Sequence, residues 1–202
     1  MTKRNYLLTM AVLLAFSGGA RAQTGKAPVL DSVRETLDSW ITNAEKHVVR
    51  VAEVMPAEKY SFAPAETSGE FKGVRTFAQQ VKHLAANNYW MAALILGKKA
   101  SAEMYDETGP DSVQTKPQIV EYLKGSFAAL HQAVATIDGK NAAEQVERPV
   151  GWQKTRLSFA VDAVAHTFDH YGQLVEYQRM NGIVPPDSRP KKDEAENMEE
   201  IP

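Results

Sequence analysis

The stretch His166–Pro186, HTFDHYGQLVEYQRMNGIVPP, sets two histidines four residues apart on a helical pattern that stops abruptly at Asn181-Gly182. Asn-Gly supplies a left-handed cap, and Pro185-Pro186 prevents the helix from resuming. Phe159, Val164, Tyr171, Leu174 and Val175 place His166 and His170 near the apolar side of a helix spanning about Thr155 to Asn181. Residues at i and i+4 differ by about 40° around a helix axis, so the two imidazoles project together and can share one ion. The pair alone leaves two readings open: metal ligands, or solvated and capped side chains.

Working outward, three more helices emerge. The first runs from about Pro28 to Met55, with Val33, Leu37, Trp40, Ile41, Ala44, Val48 and Val51 forming one apolar stripe. Pro56 and Pro64 bracket the loop that follows. The second opens at Thr76, which with Gln79 fits a capping box, and Gly97 is its stop. The third opens at Thr115, with Gln118 completing the same pattern and Pro117 in the first turn, and Gly139 ends it. The stretch Asn141–Thr155 reads as a connection that pairs briefly as extended chain. Strand signal is weak elsewhere, and four amphipathic helices of this length bury one core together. The fold class expected is all-α, an up-down four-helix bundle over residues 28–186.

A third histidine, His83, sits in VKHLAANNYW between apolar Val81 and Leu84. If the second and fourth helices face each other, it joins His166 and His170. A buried histidine needs a partner, and a cation suits several at once. Three histidines leave a coordination position open, the pattern of catalytic rather than structural zinc. The rival reading makes His83 a core histidine hydrogen-bonded to a carbonyl. His47 could line the same cavity, whereas His131 reads as a surface residue.

At this point the chain resembles the DinB-like family of metal-dependent bundles. MPAEKYSFAP resembles the loop after the first helix, VRTFAQQVKHLAANNYW the second helix with its single histidine, and HTFDHYGQLVEYQRMNGIVPPDS the fourth helix with its exit. The resemblance covers about Val29 to Ser188. It implies His83, His166 and His170 as a site for zinc, nickel or a similar divalent ion, and it implies the same bundle. It also implies activities such as thiol-dependent transfer or isomerisation with small cytosolic thiols. By spacing, Asn87, Trp90, Asp162 and Gln173 border the pocket, with core packing the better reading for Trp90. Asp169 could accept a hydrogen bond from a ligand histidine, although facing solvent is the better reading for both aspartates. Gly172 is expected to permit close helix approach.

The remainder of the chain speaks to address and partners. MTKRNYLLTMAVLLAFSGGARAQ has Lys3 and Arg4, an apolar run from Tyr6 to Phe16, and small residues at Ala20 and Ala22. It reads as a signal peptide over residues 1–22 of an exported, periplasmic protein, with no stable membrane insertion after cleavage. Residues 187–202 form a charged tail expected to be disordered. The 202-residue chain has a formal net charge of -2, which excludes binding nucleic acid through a broad basic field. It has no cysteine, so any metal must use His, Asp or Glu. A small-molecule substrate or ligand and a homodimer fit these features. Two functions follow: a metal-dependent transferase or hydrolase, or a non-enzymatic periplasmic metal- or ligand-binding bundle in which the ion is structural or stored. Export counts against the thiol version.

Overall fold

A computed structural model describes residues 29–65, 69–98, 108–146 and 154–190. The expected signal peptide and most of the expected tail lie outside them. Four helices dominate: α1 (Val29–Val54), α2 (Phe77–Ile95), α3 (Lys116–Val134) and α4 (Arg156–Met180). Two short strands, β1 (Gln145–Val146) and β2 (Lys154–Thr155), pair antiparallel with Gln145 opposite Thr155. The brief extended pairing anticipated before α4 is therefore present.

Local chemistry accounts for the helix ends. The Thr76 hydroxyl accepts from the Gln79 N–H, and the Gln79 side chain accepts from the Thr76 N–H, so two otherwise unsatisfied donors are paired. At the other end Gly97 adopts φ +66, with Lys98 N–H donating to Ala93 and Gly97 N–H to Leu94. The same double closure recurs after α4, where Gly182 (φ +71) donates to Arg179 and Ile183 to Gln178. α3 stops at Val134 rather than at the expected Gly139. Polar side chains capture the backbone first: Asp138 accepts from the Lys140 and Asn141 N–H groups, and the Asn141 amide donates to the Thr136 carbonyl.

Leu37, Ile41, Ala44, Val48, Val51 and Met55 form the buried stripe of α1. Trp40 does not join it. It lies about 60° off the stripe's centre, is 52% exposed, and meets Phe168 edge-on at the flank toward α4. Phe77, Leu84, Ile95, Leu123, Phe127, Leu130, Phe159 and Leu174 complete the core.

The order of helices around the bundle departs from simple alternation. α1 packs on α3 and α4, and α2 packs on the same two. Trp40 meets Phe168 while the Gln178 amide reaches the Val51 carbonyl, so α1 and α4 are parallel. His131 meets Asp38 while Lys116 reaches the Met55 carbonyl, so α1 and α3 are antiparallel. Tyr177 reaches the Arg75 carbonyl while Trp90 meets Phe159, so α2 and α4 are antiparallel. The topology is up-down-down-up, with α2 and α3 parallel. Residues 96–115 connect them, and about 20 residues span far more than the roughly 28 Å length of a 19-residue helix. Gly109 in that connection lies against Lys82, partway along α2.

Candidate metal centre

The antiparallel packing of α2 on α4 brings His83 onto His166 and His170. His83 and His170 are buried, and His166 is half-buried. His83 Nε2 lies 3.3 Å from His166 Nε2, which lies 3.0 Å from His170 Nε2. The ligand atoms of all three fall within 4.8 Å of one another. Two imidazole nitrogens each about 2.0–2.1 Å from one zinc-like ion at a tetrahedral angle stand about 3.3 Å apart. The observed spacing fits that arrangement.

Electrostatics point the same way. Burial, followed by the neighbouring His83, pushes His166 down to about 4. Burial, followed by His166, pushes His170 down to about 3. Both rings are therefore neutral near pH 7, with lone pairs free to bind a cation. A neutral imidazole has one N–H, and three nitrogens converging on a point cannot satisfy each other by hydrogen bonding alone. His166 Nδ1 and His170 Nδ1 are also buried without a protein partner.

The remaining sequence-selected residues are placed as follows. Gln173 is half-buried, one turn from His170. Its Oε1 accepts from Gln80 Nε2 at 2.8 Å, and its Nε2 donates to Asp169 at 3.0 Å. Asp169 is exposed and takes that donor rather than a histidine ring, because Gln173 lies one turn away on the same helix face. Asp162 pairs with Lys154 of β2. Both carboxylates still act on His166 at longer range, with Asp169 the stronger. Asn87 is half-buried, and its Oδ1 has no protein partner. Trp90 is buried in the core, its ring centroid 6.3 Å from that of Phe159.

His47 does not reach the triad. It lies on the opposite side of α4, bonded to Asp187 at 2.6 Å with its ring against Phe168 and Tyr171. His131 is held between Asp38 (2.6 Å) and Glu45 (3.3 Å) at the α1–α3 seam, and is half-buried rather than fully surface. Gly172 is exposed, and a methyl group there would meet nothing within 4 Å, so among the described residues no helix approaches it. Gln80 was not selected from the sequence. The signal that could have found it is its position one turn before His83 on the same face.

A family model described as the DinB superfamily matches residues 29–174. Among solved structures, a DinB-like protein from Bacillus subtilis matches with a TM-score of 0.57 and 16% identity, over 77% of this chain and 99% of its own. A conserved protein from Enterococcus faecalis matches with a TM-score of 0.57 and 15% identity, over 72% of this chain and 94% of its own. At these identities the likeness concerns the fold alone. No curated protein matches the chain.

Proposed function

The chain belongs to the DinB superfamily, and from that premise we propose that it is an exported divalent-metal protein whose ion is held by His83, His166 and His170. One observation carries this reading: three Nε2 atoms converge from two helices, with His166 Nε2 3.3 Å from His83 and 3.0 Å from His170, a spacing one cation could bridge. The donor set suits zinc or nickel, with availability deciding between them. Export rests on the first 22 residues, whose charged start, apolar run and small-residue end have the form of a cleavable signal.

Held by three neutral donors, a dication keeps its full charge and can polarise a carbonyl or lower the pKa of a bound water or thiol. The chain's own residues would present that charge on the half-buried His166 side of the triad. The activity best matched is metal-dependent transfer or hydrolysis on a small molecule. One observation favours a second reading, a non-enzymatic metal- or ligand-binding bundle. Among the described residues, the two carboxylates whose charges act on His166 are already engaged, Asp169 by Gln173 and Asp162 by Lys154, so neither stands ready as a base.

The test is metal analysis of protein purified without chelators. About one divalent ion per chain is expected, retained by wild type and lost in His83→Ala or His170→Ala. A wild type free of metal after loading with zinc and with nickel would falsify the site. If model esters turn over with the loaded wild type and not with His170→Ala, transfer or hydrolysis is supported. Binding without turnover favours the second reading.

A further inference from the structure

The hydrogen-bond polarity around the triad leads one step further, on the basis of the metal reading above. Asp169 is an acceptor only, so Gln173 must turn its Nε2 toward it. That leaves Gln173 Oε1 facing Gln80, which must answer with its own Nε2. The orientation of both amides is thereby dictated, and Gln80 Oε1 is left over. It is buried and has no protein partner. On the other side of His83, one turn along α2, Asn87 Oδ1 is in the same position.

Two donors are missing the complement of these acceptors. When an imidazole binds a cation through Nε2, its proton resides on Nδ1, and that N–H needs an acceptor. His166 Nδ1 and His170 Nδ1 are both buried without one. Because α2 and α4 run antiparallel, with Gln80 opposite Gln173 and Trp90 opposite Phe159, Gln80 flanks the His170 side of the triad and Asn87 the His166 side. Four buried, unpartnered polar atoms thus divide into two donors and two acceptors at matching levels. No hydrogen bond joins them in the structure, but the terminal torsions of Gln and Asn are broad, so a small rotation re-aims each amide oxygen, for Gln80 with its bond to Gln173 kept.

We propose that Gln80 and Asn87 are positioning residues of the metal centre, their amide oxygens accepting the Nδ1–H of metal-bound His170 and His166 respectively. Each would fix the tautomer and the ring orientation of its histidine. The Gln80–Gln173–Asp169 chain would then tie His170 to a surface carboxylate through two amides. Partners of this kind change metal affinity by about 10–100-fold when removed.

The experiment uses the full chain loaded with zinc. Zinc affinity is measured by chelator competition, and imidazole protons are followed by proton–nitrogen NMR. Slowly exchanging Nδ1 protons on His166 and His170 are expected in the wild type. Gln80→Met should weaken zinc binding by about 10–100-fold and release only the His170 proton to fast exchange. Asn87→Leu should do the same to His166. Solvent-rate exchange of both protons in the loaded wild type overturns the proposal, whether or not any variant folds. So does unchanged zinc affinity in Gln80→Met and Asn87→Leu. A wild type that binds no zinc at all overturns the metal reading itself and is recognised separately.

Discussion

Helix α4 separates two histidine neighbourhoods of opposite character. On the α1 side, His47 bonds to Asp187 at 2.6 Å, and the same carboxylate accepts from Tyr171 at 2.7 Å and Arg50 at 2.9 Å. Every polar group named there has a partner. On the α2 side, three imidazoles face one another, and the Nδ1 atoms of His166 and His170 are left without a partner. A protein that has paired one histidine so fully leaves the other group electrostatically incomplete. The lesson is that the deficit of partners, more than the presence of histidine, marks where a cation could be held.

The largest expected effect lies on the incomplete side. Loading the wild type with zinc to about 1,000 times the dissociation constant should stabilise it by about 4 kcal/mol, read as a rise in thermal midpoint that EDTA reverses. His83→Ala should abolish the rise, and His47→Ala should leave it intact. A metal-dependent rise that depends equally on His47 would erase the contrast between the two faces.

Next comes pH. In metal-free protein, His166 and His170 are held near 4 and 3, below the ordinary histidine value of about 6.5. The unfolded chain therefore binds more protons in that window, and stability should fall as pH drops from about 6.5 toward 4. The Asp187 side has the ordinary carboxylate behaviour. Burial raises its carboxyl, but the Tyr171 and His47 hydrogen bonds and the charges of His47 and Arg50 together outweigh that and hold it below the usual value. Its contribution should be complete above about pH 4 and disappear only as pH falls through the lowered value. Histidine titrations followed by NMR, alongside urea melts at several pH values, separate the two.

A smaller effect is expected of Asp187→Asn, which removes the charge while keeping the shape. Loss of the charge-assisted bonds should cost about 1–3 kcal/mol in a urea melt, with zinc retention unchanged. The smallest is Gly172→Ala. Its position is exposed and helical with open space around it, so the substitution should stabilise by about 0.5–1 kcal/mol. Destabilisation there would mean that something does approach that surface.

Much of the fold was legible because its signals are local. Thr76 with Gln79, and Gly97 and Gly182 past their helices, act within a few residues, and the spacing of Ile41, Ala44 and Val48 needs no partner to be recognised. The order of helices around the bundle depends on which distant faces meet, and nothing in a helix's own periodicity encodes that. Trp40 fell on the border of an apolar stripe, where the position of α4 decides burial. The three histidines could be grouped because each lay on an apolar face. Gln80 could not be, since its free oxygen results from a chain of polarity running through Gln173 to Asp169. Gly139 lost the end of α3 to Asp138 and Asn141, whose side chains compete for the backbone earlier.

The parallel run of α1 beside α4 fixes the chain's polarity in space. α1 begins at Val29, while Asp187 is clasped by His47 and Arg50 near the opposite end of the same helix. A helix of 26 residues is roughly 40 Å long, so the described fold begins at one pole of the bundle and Asp187 lies toward the other. Many domains keep the ends of their folded part close together, but here a link from the residues after Asp187 back to Val29 would have to run most of the length of α1. By the same geometry, a surface held at the Val29 end of α1 would leave the Asp187 clasp facing away from it.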